Sequence, residues 1–242
     1  MKTIGLLGGM SWESTAEYYR LLNELTRERL GGLHSTPCVL YSVDFARIEQ
    51  LQASGNWDEA GRLLAEAAVA VQAAGADMLL LCTNTMHKVA DQVAAAVRIP
   101  FVHLADTTAD AVRAKGLRRI GLLGTAFTME EDFYRGRLAS HGLDVLVPGV
   151  EGRRRVHEVI YDELCLGVVR EESRRDFRAV IADLVAAGAE GVVLGCTEIE
   201  LLIGPDDSPV PVFPTTLLHV EAAVTLALAS PEPVGEEIGR AR

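Results

Sequence analysis

The chain has 242 residues, 49% hydrophobic and only 5% aromatic, with a formal net charge of −11. That length holds one large or two small domains, and a core of Ala, Val and Leu suits a helix-coated parallel sheet better than an aromatic-rich β-sandwich. The acidic balance argues against a nucleic-acid partner, which needs a basic face, and no apolar stretch approaches the ~18 residues of a membrane span.

TIGLLG (3–8) predicts a buried strand, followed by a helix over 13–30 that Gly31-Gly32 closes. CVLYSVDF (38–45) predicts the second strand. Asp58 is expected to cap a helix running to Ala74, with Gly75 at its C-terminal end. DMLLLC (77–82) reads as the third strand and FVHLA (101–105) as the fourth, with His103 inside it as a core residue. This βαβα rhythm is that of a parallel sheet. It then restarts: RRIGLLGT (118–125) repeats the opening KTIGLLGG, and Thr128-Met-Glu-Glu131 reads as a capping box that starts a helix at Thr128. DVLVP (144–148) is a further strand, a helical region over 151–187 ends at Gly188, and GVVLG (191–195) is the next strand. The tail 209–230 reads as a strand and then a helix. The basic run Arg153-Arg154-Arg155 reads as a solvated helix start, with an anion patch as the alternative.

AAGAD (73–77) aligns without a gap on AAGAE (186–190), an offset of 113 residues, while the two GLLG strands pair at an offset of 116. Gly75 meets Gly188, Asp77 meets Glu190, and Thr83 meets Cys196. Such self-similarity predicts an internal duplication. The expected fold is α/β, with two pseudo-symmetric lobes, each a mostly parallel sheet flanked by helices. Lobe one would hold residues 1–115 plus 209–242 and lobe two 116–208, with at least two crossings of the chain between them.

Parallel sheets hold ligands beyond the C-terminal ends of their strands, so two facing lobes would share one cleft. Lobe one presents Thr83, Asn84 and Thr85; lobe two presents Cys196, Thr197 and Glu198. Matched groups on opposite faces of a small ligand suit removal of a proton from one face of a carbon and its return to the other. The turn Gly8-Gly9-Met10-Ser11 is not G-x-G-x-x-G, so a dinucleotide reading is weak. Its backbone N–H groups suit a carboxylate, with Met10 as cleft wall. Thr125 occupies the matching loop of lobe two, and Thr128 is read as a helix cap. Asn84 and Thr85 suit an amino-acid carboxylate or ammonium, or serve as a plain helix start, and Glu198 suits an ammonium or tunes Cys196. Arg47 is offered as a partner for a distal carboxylate or as an exposed helix charge. His87 is offered as a supporting proton carrier or a structural ring.

GLLGGMSWEST, CTNTMHKVAD and GCTEIELL, in that order over essentially the whole chain, resemble the aspartate/glutamate racemase family, in its broad-specificity and L-aspartate/glutamate-acting branch. The resemblance implies cofactor-independent, two-base racemisation by paired cysteines at matched strand ends, a specificity role for Gln52, and a homodimer. The sequence departs from that pattern. Where the family has Cys-Asn-Thr, this chain has Thr83-Asn84-Thr85, and its cysteine stands one place earlier. Successive strand residues point to opposite sides, so if Thr83 faces the cleft, Cys82 faces the packing behind it. Catalysis would then fall to Cys196 on one face and Thr83 on the other. An unassisted threonine hydroxyl does not ionise near neutrality, so Thr83 is expected to act through water or with His87 behind it. Label from heavy water should therefore enter L-substrate faster than D-product appears.

A pyridoxal-phosphate mechanism would need a Schiff-base lysine. Only Lys88 of the three lysines lies near the cleft, with no phosphate loop beside it, so no cofactor is expected. With no H-E-x-x-H, no metal site is expected either. Cys38, Cys82, Cys165 and Cys196 form no C-x-x-C and no disulfide framework, and MKTIGLLGG has no signal-peptide character. Reduced thiols and a cytoplasmic location follow. The alternatives left open are a single-cysteine arylmalonate decarboxylase or hydantoin racemase of the same fold, and an amino-acid-binding protein that has lost one base.

Overall fold

A computed structural model describes residues 1–229. The end of the tail assigned above to lobe one, 230–242, lies outside the described residues. The first half runs β1 (Ile4–Gly8), α1 (Trp12–Leu30), β2 (Cys38–Ser42), α2 (Phe45–Ala53), α3 (Trp57–Ala73), β3 (Met78–Leu81), a 3-10 turn, α4 (Ala90–Ala95), β4 (Phe101–Val102) and α5 (Leu104–Ala114). The second half runs β5 (Arg119–Gly124), α6 (Ala126–Glu130), α7 (Asp132–Ser140), β6 (Asp144–Leu146), α8 (Val150–Asp162), α9 (Glu171–Ala186), β7 (Gly191–Gly195), β8 (Val212–Pro214) and α10 (Thr215–Leu228). The strands form two four-stranded parallel sheets of the same order, β2-β1-β3-β4 and β6-β5-β7-β8.

The duplication extends to side-chain roles. Gly75 and Gly188 both take positive φ, 97° and 99°, to end the helices before β3 and β7. The next matched pair, Asp77 and Glu190, grips the start of the neighbouring strand: Asp77 accepts from Thr3 N–H at 2.7 Å, and Glu190 from Arg119 N–H at 2.9 Å.

Each sheet is covered on both faces, so its central strands are apolar along their whole length. On β3, Leu79 and Leu81 pack with α3, while Met78, Leu80 and Cys82 pack with α1 and α10. Cys82 is fully enclosed, and burial raises its thiol pKa. In the second sheet Leu123, Val192 and Leu194 pack under α8 and α9, and Ile120, Leu122 and Val193 under α5 and α7. The chain therefore crosses between sheets twice, and the crossings are reciprocal. After β4 it leaves sheet one and α5 packs on sheet two; after β8 it leaves sheet two and α10 packs on sheet one.

The lobe boundaries expected from sequence are corrected accordingly. β8 belongs to lobe two, because Val212, Phe213 and Pro214 pair with β7, and α5 packs on that lobe as well. Four local expectations also change. β4 stops at Val102, and His103 caps α5 by accepting from Ala105 N–H at 3.2 Å. Thr125, not Thr128, caps α6, accepting from Thr128 N–H at 3.4 Å. α3 starts at Trp57, so Asp58 lies in its first turn and is not its cap. The helical stretch over 151–187 is broken by a 3-10 turn at Leu164–Leu166 and by Gly167, whose φ is 71°. Arg153 and Arg155 pair with Glu130 and Asp176 on the surface, as a solvated helix start does.

Candidate active site

The C-terminal ends of the two sheets meet around one cleft with only about 30 Å³ of free interior, about one water's share of liquid volume. Lobe one lines it with Met10, Ser11 and Ser14 from the β1–α1 turn, Phe45 and Gln52 from α2, and Thr83, Asn84 and Thr85 after β3. Lobe two contributes Thr125 after β5, Ile160, Tyr161 and Cys165 around the end of α8, and Cys196, Thr197 and Glu198 after β7. The cleft thus brings together Met10, Gln52, Thr83, Asn84, Thr85, Thr125, Cys196, Thr197 and Glu198, nine of the eleven candidate site residues, His87 and Arg47 being the others. His87 sits one layer behind.

His87 is locked in place. Leu104 N–H donates to its Nε2 at 3.2 Å, so the ring proton is on Nδ1 and donates to the Thr83 carbonyl at 2.7 Å. Burial, with His103 adding to it, holds its pKa well below the ordinary value. The ring is therefore neutral, with both nitrogens committed. This corrects the proton-carrying role expected of His87: no ring nitrogen is left for the Thr83 hydroxyl, and its part is to hold the Thr83 backbone. Arg47 is likewise absent from the cleft wall. It is exposed on α2, in a separate groove with Tyr41, Asp44 and Glu66.

Cys196 donates its thiol hydrogen to Glu198 Oε2 at 2.8 Å, and the other Glu198 oxygen accepts from Ser11 Oγ, also at 2.8 Å. Burial first, and then the Glu198 carboxylate, push the Cys196 thiol well above its ordinary pKa. In this closed cleft Cys196 is a protonated thiol facing the acceptor that can take its proton. Further neutral bonds cross the cleft: Ser14 to Thr197 at 2.9 Å, Thr85 to Thr125 at 3.2 Å, and Asn84 Nδ2 to Thr215 Oγ1 at 3.2 Å. The last of these fixes the Asn84 amide. Thr215 already donates to the Leu194 carbonyl at 2.9 Å, so it must accept from Asn84. Asn84 Oδ1 is left buried and without a donor among the described residues, a vacancy that an N–H-bearing ligand would fill.

Sequence reasoning missed Ser11 and Ser14 as cross-cleft donors, and Phe45, Tyr161 and Cys165 as wall. The first two sit in GGMSWEST, where the turn suggested backbone contacts only. The others carry no local signal, because they reach the cleft only through the packing of α2 and α8. Among the described residues no group of three or more His, Cys, Asp or Glu is placed to hold a metal ion, and no helix is long and apolar enough to cross a membrane.

The fold is shared with known proteins. A Yersinia pestis protein, provisionally assigned as an Asp/Glu racemase, is 52% identical, with a TM-score of 0.90 over 95% of this chain and 100% of that one. An aspartate racemase homologue from Pyrococcus horikoshii is 34% identical, with a TM-score of 0.84 over 94% and 99%. The broad-specificity amino-acid racemase RacX of Bacillus subtilis is 18% identical over 239 residues, 93% of this chain and 98% of that protein. The profile of the Asp/Glu/hydantoin racemase family matches residues 7–223, and the chain belongs to that family.

Proposed function

We propose that the protein is a cofactor-independent amino-acid racemase in which Cys196 and Thr83 address opposite faces of the substrate α-carbon. One observation carries this reading: Thr83 and Cys196 lie just beyond the ends of the matched strands β3 and β7, and both line the same small cleft. The substrate ammonium fits Asn84 Oδ1 and Glu198, and the α-carboxylate fits the threonine hydroxyls around it. An ammonium beside Glu198 offsets the charge that holds the Cys196 thiol up. Glu198 takes the thiol proton, the thiolate takes the α-proton from the L-face, and the charge moves into the substrate carboxylate. Thr83 then gives its hydroxyl proton to the other face and recovers, through water, the proton that Glu198 took, so that Cys196, Glu198 and Thr83 all end as they began. A homodimer, implied by the family resemblance, and a cytoplasmic location, expected from the unpaired cysteines, belong to the same proposal.

The test is an incubation in heavy water with L- and D-amino acids, following loss of the α-proton signal by NMR. Wild-type protein should exchange at least one amino acid, and Cys196→Ser should be slower by about 100-fold or more. No exchange by the wild type, or an unimpaired Cys196→Ser, refutes the assignment.

A further inference from the structure

We infer, resting on the racemase reading, that the cleft is built for amino acids with uncharged side chains and discriminates against aspartate and glutamate. Once the ammonium and α-carboxylate are seated, a side chain has only Met10, Phe45, Gln52, Ile160, Tyr161 and Cys165 left to face. That wall is apolar apart from the Gln52 amide and the Tyr161 hydroxyl. Among the described residues lining the cleft there is no lysine or arginine, and the carboxylate already present is Glu198.

The two cations that the sequence places nearby lie outside the cleft lining. Arg47 lies in its own outer groove. Lys88 pairs with Glu131 across the lobes and lies over the Trp57 ring, 3.9 Å from its centroid. A second substrate carboxylate would therefore enter an enclosed, already negative site without a counter-charge, and burial of an unpaired charge is strongly disfavoured. A side-chain amide, thioether or hydroxyl meets no such obstacle. Gln52 is the specificity-determining position in this arrangement. Among the described residues its Nε2 hydrogen-bonds to the Met86 sulfur, at 2.9 Å, a weak acceptor that leaves the amide free to turn to a polar side chain.

The experiment compares isosteric pairs that differ only in charge: L-Gln with L-Glu, and L-Asn with L-Asp, by α-proton exchange in heavy water. The expected result is a kcat/KM at least tenfold higher for the amide in each pair, and a Gln52→Lys variant that moves the Gln-to-Glu ratio at least tenfold towards glutamate. Dicarboxylates exchanging as fast as their amides in the wild type overturn the inference and leave the racemase reading standing. Absence of exchange with every amino acid overturns that reading, and this inference with it. Wild-type ratios alone decide the point if Gln52→Lys does not fold.

Discussion

Glu198→Gln should make the Cys196 thiol more acidic while slowing exchange of the substrate α-proton. The carboxylate oxygen lies 2.8 Å from the sulfur. At that range and an effective dielectric of about 20, a negative charge opposes thiolate formation by about 4–6 kcal/mol, or about 3–4 pKa units, as an upper bound. Gln keeps the shape and removes the charge. It also replaces an acceptor that favours the protonated thiol with a group able to donate to the thiolate, so both changes act in one direction. The backbone bond from residue 198, which favours the thiolate, is retained. Burial, the largest cause of the raised pKa, stays in place and keeps the new value above that of a free cysteine. A fall of at least about one unit is expected. Peptide-resolved alkylation across pH measures it, because mass spectrometry separates Cys196 from Cys38, Cys82 and Cys165. Exchange should nonetheless slow, since Gln neither accepts the thiol proton nor offsets the substrate ammonium. An unchanged or higher thiol pKa would refute the electrostatic role given to Glu198. A lower pKa with undiminished exchange would refute its role as proton acceptor.

Thr83→Cys places a thiol, with an ordinary pKa of about 8.5, where the wild type has a hydroxyl. Inversion followed by chiral chromatography should rise relative to label uptake into the L-isomer, and equal ratios in wild type and variant would remove Thr83 from the slow step. Stability should fall on both sides of a maximum near pH 6.5–7, read from urea midpoints. His87, His103 and His219 are held neutral by burial, with His103 lowered to about 4 and His219 to about 3; their stabilisation is present above the unfolded value of about 6.5 and is lost as pH falls. Glu200, raised to about 8 by burial, acts in the opposite sense, losing stabilisation as pH rises from its unfolded value towards 8. The net of two protons near pH 5.5 gives a slope of about 2.7 kcal/mol per pH unit, and a flat profile between pH 5 and 6.5 would contradict the neutral histidine cluster.

What the sequence made legible were features whose cause is local. β1, β3, β5 and β7 are short apolar runs because both faces of each are covered, and the turns after them follow directly. The repeat was readable because AAGAD and AAGAE end equivalent helices and their acidic residues grip equivalent strands. Features decided by distant partners were not readable. The pairing of β8 with β7 depends on a contact that no window of the chain contains. His103 looked like strand interior until α5 supplied the N–H it caps. Thr125 and Thr128 competed for one cap, and a weak bond at 3.4 Å settled it. Ser11 became a site residue only because the fold brings it to Glu198, 187 positions away.

The same network explains how so small a cleft can admit a substrate. With about 30 Å³ free, the cleft must open before an amino acid enters. Four hydrogen bonds cross the cleft, mostly neutral: Ser14 to Thr197, Thr85 to Thr125 and Asn84 to Thr215, besides the charge-assisted bond from Ser11 to Glu198; outside it the Lys88–Glu131 ion pair also spans the lobes. A neutral hydrogen bond exchanged for water contributes about 0.5–1.5 kcal/mol net, and one to a charged group about 1.5–3. Breaking these four hydrogen bonds therefore costs a few kcal/mol, within the range of lobe motions on the microsecond-to-millisecond scale. Each sheet keeps its own core through such a motion, because the four apolar clusters lie mainly on the sheet faces and reach the cleft only at their edges, as at Met10 and Ile160. A substrate that supplies a donor to Asn84 and charge to Glu198 restores what opening removes. In the proposed mechanism closure is thereby coupled to the presence of an ammonium, and the Cys196 thiol gives up its proton only when a substrate is there to supply the α-proton.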